Sequence, residues 1–378
     1  MAWLLALLVG LLGGERAGEG PCSDGGWGSI PGGEVVHVRA DGDDRNVGTP
    51  EAPLRTLEEA LGRLRARDYD GRVIGVGPGV FPIAPVSMGE GDEGLTFTGC
   101  GSETILASLD DTRPVFSLTD GAAGTLAGVS LLGGSTGVQV TDGSFAYLSS
   151  VEIGDAAGPG IQVDEAYLQV DNVLVLPPTA DASCGYGLAA TGSWIRGESL
   201  TIVGAHELGV WVEDSRVRVD LLDVALTEPA VDGVLGRGLY SADSEVSITS
   251  GAFSANKDAS LFFNDSWADL KGIVIDITSA GFVGDYSTGD GIVVVDSGSR
   301  AVRLSSSRIE GSARAALLLD GANVMAIDTE LGDAGLEDEL GMPVALQNGG
   351  VLFGDDPDLG GEPAEPLPYV DIAPDCSL

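Results

Sequence analysis

The chain has 378 residues, 43% of them hydrophobic, with 58 glycines and few aromatics, a balance that favours a long core reached through many tight turns over one made of helices. Its 58 acidic residues against 19 basic ones give a formal charge of −39, which argues against a nucleic-acid backbone as partner, since that needs clustered Lys and Arg. Such acidity suits solubility, salty or divalent-rich water, or a specific cation site.

The opening MAWLLALLVGLLGG is an apolar run too short to span a bilayer and suited to the hydrophobic part of a secretory signal. Residues 1–20 are therefore read as a signal peptide, and the protein as secreted, periplasmic or cell-surface. No basic residue precedes the run, and Glu19-Gly20-Pro21 before Cys22 does not look like a lipoprotein signal. No later segment is long and apolar enough to span a membrane.

From Val35 to Leu64 the sequence reads as a strand, an acidic glycine turn and an amphipathic helix over about 54–67. Thr56 is placed to cap that helix with Glu59 three residues on, and Leu54, Leu57, Leu61 and Leu64 form an apolar stripe able to plug an open core. The strand, the DGDD turn, GT-x-x-x-P and T-x-x-x-A resemble the opening of secreted right-handed parallel β-helix proteins of the pectate-lyase-like superfamily. The resemblance covers most of the chain. It implies a right-handed solenoid and, among relatives, lyases, hydrolases, esterases and epimerases acting on polysaccharide.

A repeat follows at intervals of 22 to 31 residues: a small residue, an alternating apolar run, then Asp or Asn before Ser or Gly. It is seen at Gly137 (GVQVTDGSF), Gly160, Gly187, Gly209 (GVWVEDSRVRV), Gly238, Ser260, Gly291, Ala316 and Pro343, with a related coil near Pro114. A period in this range marks a solenoid, and the alternation marks short strands with Val and Ile pointing inward. An all-β parallel β-helix of ten or more coils over residues 21–353 is expected, with variable connections leaving it at 177–186, 227–237 and 278–290. Residues 354–378 read as an acidic, Pro-rich tail.

Four cysteines, Cys22, Cys100, Cys184 and Cys376, fit two disulfides in an exported chain and are too widely spaced for a zinc knuckle. Cys22 precedes the first coil and Cys100 lies in an early one, so these two are expected to pair, leaving Cys184 for Cys376 on a tail that folds back.

The recurring acids Asp142, Asp164, Asp214, Asp243, Asp265, Asp296 and Asp320, closed by Asn348, should stack about 4.8 Å apart up one edge. Two readings stand: turn residues bonded to nearby amides, or carboxylates sharing calcium, with Asp164, Asp214 and Asp243 the candidate ligands. An outward column of Trp211, Tyr240 and Phe262 lies beside another holding Tyr167, Trp194, Arg216, Glu245 and Trp267. Exposed rings with a polar rim suit sugar faces; the alternatives are rings covered by connections as ordinary core, or a protein contact.

Catalysis finds less support. The polygalacturonase motifs that the resemblance suggests are absent, Arg308-Ile309-Glu310 having the wrong last charge, and neither His37 nor His206 sits in an epimerase-like segment. A calcium-assisted lyase needs only acidic ligands and an Arg base, for which Arg196, Arg216 or Arg218 near Asp164, Glu213 and Asp214 are the candidates. The expectation is an exported, monomeric scaffold that binds carbohydrate or a surface glycan, the alternatives being a polysaccharide lyase or a structural protein that binds another protein.

Overall fold

The computed structural model describes residues 34–66, 72–179, 184–229, 235–280, 282–283, 286–297, 300–332, 342–354, 360–361, 367 and 369. They form the expected right-handed parallel β-solenoid of about ten turns. Each coil gives a short strand to a twelve-stranded sheet running from Val86–Met88 to Gly360–Gly361, and longer strands to an eighteen-stranded sheet. In one coil, Ile161–Asp164 joins the first sheet, the chain turns at Glu165, and Tyr167–Val175 joins the second, passing through a left-handed residue at Asn172.

The alternation decides which side chains enter the core. Ile161 and Val163, Leu188 and Ala190, Val210 and Val212 lie in register on successive strands and are all buried, as are their partners across the solenoid such as Val173, Leu200 and Leu222. The glycine that opens most repeats is explained by the same packing. A Cβ on Gly209 would meet Val224 Cγ1 at 2.3 Å and Gly238 O at 2.5 Å, and Gly137, Gly160 and Gly187 each face a β-branched side chain of the opposite strand in the same way. In these coils the chain opens too close to the opposing strand for a side chain, whereas Ser260 and Ala316 open theirs with a small one.

The acid and serine of the repeat have separate tasks. Asp142, Asp214, Asp243, Asp265, Asp296 and Asn348 adopt φ between 40° and 54°, a left-handed conformation that Asp and Asn tolerate best among residues with a Cβ. Asp164 and Asp320 stand one register position earlier, as strand residues, and Glu165 and Gly321 take the turn in their coils. The serine after the acid stitches coils together: Ser193 N donates to Ser215 Oγ, Ser215 N to Ser244 Oγ and Ser244 N to Ser266 Oγ, at 3.0, 3.0 and 3.2 Å. Each hydroxyl in turn donates to the carbonyl two residues before it, as Ser215 does to Glu213 O at 2.7 Å.

The capping helix spans Leu57–Arg65, shorter than the stretch over 54–67 because Leu54 belongs to a bridge with Val38. Thr56 Oγ1 accepts from Glu59 N as expected, but the Thr56 amide is taken by Asp44 Oδ1 of the DGDD turn, while Glu59 pairs with Arg63. Leu57, Leu61 and Leu64 are buried in one cluster with Val36, Val38 and Ile74, each fully buried leucine contributing roughly 1.5–3 kcal/mol. No helix among the described residues is long and apolar enough to cross a membrane. The signal at 1–20, Cys22, Cys376 and most of the tail lie outside the described residues; of the described cysteines, Cys100 and Cys184, neither is a free thiol.

Candidate functional site

The outer face of the eighteen-stranded sheet carries a column in which Phe145, Tyr167, Trp194, Arg216, Glu245 and Trp267 stand on consecutive strands in direct register. Solvent reaches three of its rings: Tyr167 is 48% exposed, Trp194 44% and Trp267 40%. Tyr167 and Trp194 lie with ring centres 6.2 Å apart and planes inclined at 52°.

Two residues along each strand runs a parallel column of Tyr147, Gln169, Arg196, Arg218 and Ser247. Arg196 donates from Nε and Nη2 to Gln169 Oε1 at 3.2 and 2.8 Å, and Arg216 donates from Nε to Glu245 Oε2 at 2.7 Å. Phe145, Tyr167, Leu168, Trp194 and Arg196 line a recess of about 220 Å3. A second, open recess of about 510 Å3 lies between Arg216, Glu245, Trp267, Arg300 and the turn acids Asp214 and Asp243. Trp194 of the first and Arg216 of the second are register neighbours, so the two recesses adjoin along the column, which with them forms a shallow trough.

The other aromatic column is not exposed. Trp211, Tyr240 and Phe262 are 7%, 3% and 0% accessible, which corrects the expectation that they face water. Tyr240 stacks on Phe262 at 5.4 Å and 22°, the Arg237 guanidinium lies 3.9 Å from the Phe262 ring centre, and Tyr369 covers Phe262 at 5.9 Å. Tyr186 packs on Trp211 at 6.2 Å. Sequence alternation places these rings on the outer face; it carries no information about what returns to cover it. Arg237 is itself buried and paired with Asp258 at 2.6 Å.

The acidic candidates do not gather into a metal centre. Among the described residues no group of three or more His, Cys, Asp or Glu is placed to hold a metal ion, so Asp164, Asp214 and Asp243 do not form the expected calcium site. Their spacing follows one turn per coil, and Asp214 and Asp243 are occupied with left-handed backbone. Glu213 lies on the twelve-stranded sheet, round the corner from Arg216. The hydrogen bond from Arg216 to Glu245 raises the guanidinium pKa above its already high value, the reverse of what a general base needs.

Phe145 and Arg300 are members of the trough that the sequence reading did not pick out. Phe145 follows Asp142 by the same three residues by which Tyr167 follows Asp164, and this offset is the available signal. Arg300 comes from a connection, donates to the Asp265 carbonyl of the preceding coil and lies 3.8 Å from the Asp243 carboxylate one coil further back; no periodicity announces it.

No protein-family model matches the chain, and no curated protein matches it. Among solved structures it is similar to the catalytic unit of a thermostable GH87 α-1,3-glucanase from Streptomyces thermodiastaticus strain HF3-3, at 14% identity and a TM-score of 0.48, covering 91% of this chain and 72% of that one. It is also similar to a GH136 lacto-N-biosidase from Eubacterium ramulus (12%, TM-score 0.45, 85% and 68% covered) and to pectate lyase Pel9A (12%, TM-score 0.40, 85% and 78%). At these values the likeness is one of stacked coils and carries no chemistry.

Proposed function

We propose that the trough on the eighteen-stranded sheet is a carbohydrate-binding platform and that the protein is an exported, non-catalytic scaffold presenting it. The supporting observation is the column of three exposed rings, Tyr167, Trp194 and Trp267, with Arg196, Arg216 and Arg218 beside it. Sugar CH faces pack on such rings while hydroxyls bond to the guanidinium and amide rim. Three rings spread over five consecutive strands span about 19 Å at the strand spacing, which suits an extended oligosaccharide lying along the solenoid axis. Polyvalent contact of this kind needs neither a metal nor a titrating side chain.

The test is a panel of polysaccharides in affinity electrophoresis, with and without chelator, read for retention and for release of unsaturated sugar by ultraviolet absorbance. Retention without release is expected for the native protein and should be lost in Tyr167→Ala and Trp194→Ala. Release of unsaturated product, or undiminished retention by both variants, would overturn the reading.

A further inference from the structure

The outer face of the twelve-stranded sheet is apolar for most of its length: Ala189, Trp211, Tyr240, Phe262, Val293, Leu318 and Ala345 occupy one register column and are buried. A patch of this size left in water would be unusual for a monomer. At its C-terminal end the structure shows what lies on it. The Gln347 amide clamps the backbone of Leu367 from both sides, accepting from its N–H at 2.8 Å and donating to its carbonyl at 3.2 Å. Gln347 Nε2 also donates to Asp320 Oδ2 at 3.0 Å, and that oxygen accepts from the Tyr369 hydroxyl at 2.8 Å.

These contacts have a direction. Leu367 is held at the Gln347 strand, and Tyr369 reaches the Asp320 strand before it and lays its ring on Phe262, two strands earlier again. The chain is therefore travelling back towards the N-terminal coils, against the order in which the coils were laid down. The sequence around these two residues carries prolines at 363, 366, 368 and 374, and a proline has no N–H to give to a sheet.

We propose that the C-terminal segment opened by Leu367 and Tyr369 is the occupant of this ring-floored groove, entering it at Phe262, and that a Cys184–Cys376 disulfide locks its far end. The groove is a site for an extended, proline-bearing peptide, and its occupant is this chain's own C-terminus. The reach is sufficient: the seven residues from Val370 to Cys376 span up to about 23 Å extended. Three strand steps separate Phe262 from Ala189, about 14 Å, and Cys184 lies four residues before the Leu188–Thr191 strand that carries Ala189. Closure joins the two Sγ atoms, each thiol losing its proton and the pair passing two electrons to a disulfide-donating oxidant that is reduced to its dithiol. The proposal does not rest on the carbohydrate reading, since the two faces are different sheets.

Peptide mapping of the full-length protein from an oxidising host, without reduction, tests the lock. A linked pair of peptides carrying Cys184 and Cys376 is expected; Cys376 found free, or joined to Cys22 or Cys100, overturns it. Hydrogen exchange tests the seat. The Leu367 amide should exchange at least about tenfold more slowly than an open chain, and Gln347→Ala should remove that protection while the sheet amides keep theirs. Equal exchange at Leu367 in the native protein and the variant would overturn the clamp.

Discussion

The Arg216 guanidinium stands 5.8 Å from the centre of the Trp194 ring on the preceding coil while its Nε is held by Glu245 on the next. One side chain thus ties three coils and fixes the tilt of the most accessible indole in the trough. An exposed contact of this type is worth about 0.5–1 kcal/mol, enough to orient a ring and too little to decide folding. Arg216→Lys keeps the charge but loses the planar fork. It should weaken oligosaccharide binding by about two- to fivefold, measured as dissociation constant by calorimetry, with the melting temperature unchanged.

The serine stitch predicts a stability effect without a binding effect. Ser215→Ala removes the acceptor of the buried Ser193 amide and should cost about 1–3 kcal/mol in denaturant unfolding. A variant at the neighbouring acid behaves differently: Asp214→Gly preserves the left-handed turn and should stay within about 1 kcal/mol of native, whereas Asp214→Val should not. Equal losses in Ser215→Ala and Asp214→Gly would show that the two positions are not doing separate jobs.

Gly209→Ala forces a methyl group to within 2.3 Å of Val224 Cγ1 and 2.5 Å of a carbonyl on the next coil. The backbone oxygen has no rotamer with which to move aside, so the cost should reach or exceed about 1–3 kcal/mol. Combining it with Val224→Ala should recover only the part due to the side chain, which a double-mutant cycle in urea would separate.

Asp223, on the eighteen-stranded sheet, has its pKa raised by burial, against the opposing hydrogen bond from the Ala252 amide at 2.9 Å. With the folded pKa above the unfolded one, the folded chain holds the extra proton between the two values. This contribution is present in acid and lost as pH rises from the ordinary aspartate range through the raised value. Asp223→Asn, which keeps the acceptor and drops the charge, should therefore melt higher than native near pH 7 and at the same temperature near pH 4, read by circular dichroism at both.

Much of this architecture is legible in the residues. Val and Ile alternation, the small residue that opens most coils and the Asp or Gly that turns them are local requirements that recur along the chain, so the repeats restate them. The exposed column of Tyr167, Trp194 and Trp267 followed from counting along the strand. What periodicity could not supply is contact between distant segments. The same counting put Trp211, Tyr240 and Phe262 outside, where they are, and in water, where they are not, because Tyr186 packs on Trp211, Arg237 lies over Tyr240 and Phe262, and Tyr369 reaches Phe262 from beyond the last repeat. The stacked acids share an edge, but most turns use their Asp for left-handed backbone, and among the described residues no three carboxylates are aimed at one point.

A solenoid whose contacts join only adjacent coils unravels from its ends one rung at a time, since no bond obliges distant rungs to part together. Tyr369 breaks that locality. By touching Phe262 and Asp320 from a point in the chain beyond both, it couples the fraying of the last coils to the integrity of the middle, so that the C-terminal end and the centre open as one event.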